Sequence, residues 1–183
     1  MGRPKQLLPV QGRPLLERVL TEVNDSLVDE VLVVLGGHAD AIAAEVDFGR
    51  AQFIINLDFG LGMSSSLKAG VRALKPEVDR VIIILGDQPD VTSQLINELL
   101  MLQTTSGRPS SALDFDGLLH PPVVLQRALW GELDELQGDV GCRALIRGHP
   151  ERVAALPMGE QGGHPVDIDT LDDYHRLVRQ PNN

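Results

Sequence analysis

The 183-residue chain has one cysteine, Cys142, so no internal disulfide and no thiol metal cluster can form. A reducing compartment is expected. It has no basic excess either: 16 Lys and Arg stand against 26 Asp and Glu, a formal net charge of -10, which argues against a sequence-independent nucleic-acid binder. Its apolar runs are too short to cross a bilayer, and Met1-Gly2-Arg3-Pro4-Lys5 leads into no signal-type apolar region. A cytoplasmic protein without membrane contact is expected. Internal repeats, heptads and low-complexity tracts are missing as well.

What is present fits one domain of ordinary size, long enough to bury a core. Acidic overall, the chain is locally positive over residues 1–20, with Arg3, Lys5, Arg13 and Arg18 against Glu17. Such an end suits an anionic small molecule, or it is a solvated basic surface.

The run Val81-Ile82-Ile83-Ile84-Leu85 has no polar alternation and predicts a strand covered on both faces, as in the middle of a parallel sheet. Gly86 breaks it, Asp87 follows, and Pro89 prevents continuation. Asp87 should therefore stand at the carboxyl end of a strand, where open α/β sheets bind ligands, although Asp near Pro also starts ordinary turns.

Around that strand, helical and extended patterns alternate. Residues 1–12 read as a loop; Pro14 opens a helix to about Asn24, with Leu15, Leu16, Val19, Leu20 and Val23 at helical spacing. Strands are predicted at Glu30 to Leu35 and Gln52 to Ile55, with a short helix between them from Ala39 to Val46. Asn56 to Ser66 is a loop with two glycines and three serines leading into a helix through Leu67, Val71 and Leu74. A helix amino terminus there offers N–H groups to an anion or a sugar hydroxyl, or it is an ordinary serine cap. Thr92 caps the next helix. Asp116-Gly117 predicts a hairpin whose second arm is interrupted at His120-Pro121-Pro122, which argues for an edge or a break rather than a clean central strand. Helices over Gln126 to Leu136 and Asp139 to Gly148, the latter capped by Asp139, and a strand at Arg152 to Leu156 complete this region. Val166 to Ile168 is extended, and Thr170 with Asp173 forms a capping box for the last helix, leaving Asp169 just outside it. The fold class is α/β: a three-layer, Rossmann-like domain with a mainly parallel sheet and an antiparallel hairpin insertion.

The combination of MGRPKQLLPVQGRPLL, GMSSSLKAG, LGDQPDV, HPPVVL, GDVGCRALI and DIDTLDDY, in that order over nearly the whole chain, resembles the MobA-like nucleotidyltransferases. Within them it looks most like the molybdenum cofactor cytidylyltransferase branch, favoured by KQLLP and GMSSSL. Members open with a strand and a phosphate-holding loop of the form LAAGxSxRMG; this chain starts at what resembles its last two residues, Met1-Gly2. The expectation is a single domain over 1–183 that lacks the first strand and most of that loop.

The resemblance implies transfer of CMP from CTP to molybdopterin, with pyrophosphate leaving and Mg²⁺ held by Asp87 and Asp169. Lys5, with Arg3 beside it, would stabilise the leaving pyrophosphate. Gly2, Arg3, Lys5, Asp58, Ser64 and Ser65 would bind the nucleotide. A molybdenum hydroxylase or its maturation factor is the implied protein partner. His120 resembles a GHPV-type segment near the second substrate, but Leu119 replaces the glycine and a proline is added, so a loop histidine is the plainer reading. Cys142 reads as a core residue. Two alternatives stand beside the cytidylyltransferase: a relative using GTP or another NTP on a different phosphorylated substrate, and a truncated, non-catalytic cofactor-binding protein.

Overall fold

A computed structural model describes residues 4–158 and 170–179. Lys5–Leu7 forms a 3-10 turn where a plain loop was expected. It leads into a small antiparallel pair, β1 (Pro9–Val10) and β2 (Arg13–Pro14), closed by Gln11 and Gly12 at positive φ. Helix α1 (Leu15–Asp25) follows and buries the five apolar residues its spacing predicts. Next come β3 (Leu32–Leu35), α2 (Ala39–Glu45) and β4 (Gln52–Ile55), with β3 and β4 parallel. Helix α3 (Met63–Ala73) precedes β5 (Arg80–Ile83), and α4 (Ser93–Ser106) begins at a Thr92 cap whose hydroxyl accepts the Leu95 N–H at 3.2 Å. The hairpin of β6 (Ser110–Phe115) and β7 (Leu118–Gln126) turns at Asp116-Gly117 as expected. Two short helices, α5 (Trp130–Leu133) and α6 (Arg143–Gly148), then β8 (Val153–Pro157) and α7 (Leu171–Arg179), end the described chain.

The four-stranded sheet runs in the order β5-β7-β6-β8. β6 and β8 are parallel, whereas β5 and β7 pair antiparallel, so among the described residues the Val81 to Ile83 run has an antiparallel neighbour and not the parallel ones its composition suggested. Its apolar continuity has another cause. Val81 and Ile83 pack with α3, α5 and α6 through Leu67, Val71, Trp130, Leu133 and Ile146, while Ile82 and Ile84 pack with α1 and α4 through Val19, Val23 and Ile96. Helices cover both faces, and every strand position must be apolar. The expected α/β class with helices on two sides of the sheet is what the chain adopts.

Of two further expectations, the first is met as a break and not as an edge, and the second is corrected. β7 is a central strand, bonded to β5 on one side and β6 on the other, despite its prolines. The ladder to β6 jumps from Ala112↔Val123 to Leu113↔His120, so Pro121 and Pro122, joined by a cis peptide bond, fall inside the irregularity where no ladder N–H is asked of them. The region expected as one helix over Gln126 to Leu136 holds only a 3-10 turn and the four-residue α5.

Ladders β3-β4 and β5-β7-β6-β8 are separate: among the described residues no strand bonds β3 to β5. The same helices nonetheless cover both. Leu16 and Leu20 of α1 pack with Leu35 of β3 and with α2, and Val19 and Val23 of the same helix pack towards β5. On the opposite face a Cβ at Gly70 of α3 would lie 3.1 Å from Val34 of β3, while Leu67 and Val71 meet β5. α1 and α3 thus straddle the junction of the two ladders.

Cys142 lies in the core, as expected, with Leu119, Val123 and Ile146. Burial pushes its thiol up to about 12 from an ordinary 9.0. Two outcomes follow. In native protein a thiol reagent at pH 8 reacts with Cys142 far more slowly than in denatured protein. Stability also falls as pH rises between about 9 and about 12, because the unfolded thiol releases its proton before the folded one does. Urea titrations of the wild type and of Cys142→Ala across that range check the second; equal alkaline losses would refute it.

Candidate active site

Three segments meet at the carboxyl edge of β3, β4 and β5, and a fourth packs on the hairpin that follows the first of them. The Lys5–Leu7 turn is anchored by Leu7, buried with Leu35 at the end of β3 and Ala39 at the start of α2. This places the Lys5 ammonium against the Asp87 carboxylate, with Lys5 31% and Asp87 15% exposed. Asp87 sits four residues beyond β5, as the run and its breakers predict. Its loop is held from below: Arg18 Nε donates to the Pro89 carbonyl at 3.3 Å, and the Ser93 N–H donates to Glu22 at 2.8 Å. A Cβ at Gly86 would come within 3.1 Å of Leu16, so the strand exit lies close on α1. Gln88 is buried beside Asp87.

The serine loop is the third segment. Phe59 lies over Gly36 and Gly37 after β3, where a Cβ at Gly36 would meet Phe59 Cβ at 2.8 Å; the glycine pair makes room for the ring. Buried Asn56, which residue-level reading passed over, organises the loop from inside. Its amide donates to Ser65 Oγ at 2.8 Å and Ser66 Oγ at 3.1 Å, and its Oδ1 accepts the Asp58 N–H at 3.0 Å. Ser65 in turn donates to the carbonyls of Asp58 and Gly62 at 2.9 and 2.8 Å. Ser64 is buried. An Asn directly after an apolar strand was the available signal.

The α3 amino terminus is already occupied. The Met63 N–H donates to Asp139 Oδ1 at 3.3 Å and the Ser64 N–H to the Gly138 carbonyl at 3.1 Å. Asp139 was expected to cap the helix after it, but α6 starts only at Arg143 and Asp139 reaches α3 instead. A helix needs acceptors for its first amides, and a remote loop supplies them here.

α7 is the fourth segment. Its expected capping box is formed: the Asp173 N–H donates to Thr170 Oγ1 at 3.1 Å and the Thr170 N–H to Asp173 Oδ2 at 2.9 Å. Tyr174 donates its hydroxyl to the Pro9 carbonyl at 2.6 Å, and Leu177 is buried with Val10 and Leu15. The helix thereby docks on the hairpin that follows Lys5. Gly2, Arg3, Asp169 and the extended Val166 to Ile168 lie outside the described residues. His120 is in β7 rather than a loop; Arg147 Nη2 lies 3.4 Å from its Nε2, and its ring meets Phe115 edge-on at 5.7 Å.

Residues 1–153 match the MobA-like NTP transferase domain. The chain belongs to this family. As a MobA-like domain it is a nucleotidyltransferase, and two curated relatives match it almost end to end. The nicotine blue oxidoreductase of Paenarthrobacter nicotinovorans is 31% identical over 186 residues, covering 97% of this chain and 90% of that protein. The purine catabolism protein PucB of Bacillus subtilis is 28% identical over 187 residues, covering 98% and 90%. The crystal structure of Rv0371c from Mycobacterium tuberculosis H37Rv in complex with manganese superposes with a TM-score of 0.84 at 27% identity, covering 98% of this chain and 94% of that one.

A divalent cation suits this MobA-like site. Asp87 is a mostly buried carboxylate at a strand exit, a hard oxygen donor of the kind that serves such an ion when phosphates and waters complete its shell. Among the described residues no group of three His, Cys, Asp or Glu converges to form an all-protein cage. None of their helices is long and apolar enough to cross a membrane.

Proposed function

We propose that this nucleotidyltransferase moves CMP from CTP to the terminal phosphate of a molybdopterin-type acceptor. The observation that carries the reading is the Lys5 ammonium held on the Asp87 carboxylate at the carboxyl edge of the strands. An oxygen of the acceptor phosphate attacks the α-phosphorus of CTP, a new P–O bond forms, and the bond to the bridging oxygen breaks with its electron pair leaving on pyrophosphate. The attacking phosphate is already anionic, so no side chain has to take a proton.

Lys5 would stabilise the charge growing on pyrophosphate, with Arg3 as its expected companion. Asp87 and Asp169 would hold Mg²⁺, which neutralises phosphate charge and keeps the groups in line. Support for Asp169 is the docking of α7, whose first turn follows it directly, on the segment after Lys5. Ser64, Ser65 and Asp58 take the base and ribose. The test is pyrophosphate release with Mg²⁺, molybdopterin and either CTP or GTP. Release with CTP in excess over GTP is expected; release with GTP alone would reassign the donor, and none with either would refute the reading.

We also propose that a β-strand enters the junction between β3 and β5. The missing ladder there and the shared cover of α1 and α3 support it.

A further inference from the structure

The loops at 62–64 and 138–141 interlock through bare backbone. Gly62 has φ +95, and a Cβ there would lie 2.3 Å from the carbonyl carbon of Gly138. A Cβ at Gly141 would lie 2.7 Å from Met63 Sδ. Between these glycines, the Gly138 carbonyl and the Asp139 carboxylate take the first two amides of the 11-residue α3. A helix start of this length ordinarily attracts anions, through free N–H groups and a partial positive charge. Here the chain supplies the anion itself.

We propose that Asp139 is a positioning and selectivity residue: its carboxylate fixes the serine loop and keeps phosphate away from the α3 terminus, reserving that loop for the uncharged nucleoside half of the substrate. This rests on the nucleotidyl-transfer reading above and adds the rule that orients the nucleotide. The triphosphate is then left to the Lys5 and Asp87 end. Substrate entering backwards would set its phosphates against a fixed carboxylate, an unfavourable like-charge contact.

Calorimetric titration with CTP, cytidine and inorganic phosphate tests this on the wild type, Asp139→Ala and Asp139→Asn. The wild type is expected to bind CTP and cytidine. Asp139→Ala should lose about tenfold in cytidine affinity, as expected for a lost cap, and gain phosphate binding at the opened terminus. Asp139→Asn, which keeps an acceptor for the Met63 N–H, should retain cytidine binding. A merely structural role would lower all ligands together and give no gain for phosphate, and that pattern overturns the inference while leaving the function standing. Unchanged cytidine affinity in Asp139→Ala does the same. A wild type that binds neither CTP nor cytidine overturns the functional reading and this inference with it.

Discussion

Asp87→Ala is expected to lower pyrophosphate release by about 10³-fold or more, the rate equivalent of several kcal/mol of lost charge stabilisation. The fold should survive. The Asp87 side chain makes its ion pair with Lys5, whereas the backbone around it is held by other groups: Arg18 on the Pro89 carbonyl, the Val91 N–H on the Gln88 carbonyl at 3.3 Å, and Glu22 on the Ser93 N–H. Thermal unfolding should therefore shift by only a few degrees. Asp87→Asn sharpens the test, because it keeps the size of the side chain and one acceptor oxygen while removing the charge and replacing the other oxygen with an N–H donor. Both variants should be inactive with Mg²⁺, and Lys5→Ala should be slower by about 10² in kcat. An Asp87→Asn protein turning over at the wild-type rate would remove the charge, and the metal with it, from the proposal.

The second large effect concerns the junction of the two ladders. Each inner edge, on β3 and on β5, presents backbone groups without a ladder partner among the described residues, between two helices that already reach across. A strand of four or five apolar residues placed there would pair with both edges and bury its side chains against α1 and α3. Burial at about 1.5 to 3 kcal/mol per large side chain, less the cost of ordering the backbone, leaves a net gain of about 3 to 5 kcal/mol. For a domain of this size that raises Tm by about 10 °C. The measurement compares the 183-residue chain with one extended at its amino end by an LAAG-type strand and loop, following melting temperature and CTP affinity. Both should rise. No change in either would show that the junction does not accept a strand.

Much of this architecture was legible because its causes are local. Leu15 to Val23 declare α1 by spacing alone, Thr170 and Asp173 declare a helix start within four residues, and Asp116-Gly117 declares a hairpin. The unbroken Val81 to Ile84 run correctly announced cover on both faces, but it carries no information on strand direction, which β7 sets from elsewhere in the chain. The prolines of β7 announced the break but left open whether the strand lies at an edge, for a related reason. Whether Pro costs a hydrogen bond depends on the partner's register, and here β6 skips both positions.

In the site, Lys5 and Asp87 were nameable one by one, but their pairing depends on Leu7 finding Leu35 and Ala39 across α1. Asn56 lay in plain view after a strand. The partnership of Asp139 with Met63 spans 76 positions and obeys no short-range rule, so the nearest helix claimed it wrongly.

The reach of α1 and α3 over both ladders has a consequence for how the molecule comes apart. Neither half can loosen without stripping one flank of each of these two helices, and a helix of 11 residues stripped on one flank does not persist in water. The two pieces of sheet, though unbonded to each other among the described residues, therefore melt together, and sub-global opening is confined to the short elements at the rim.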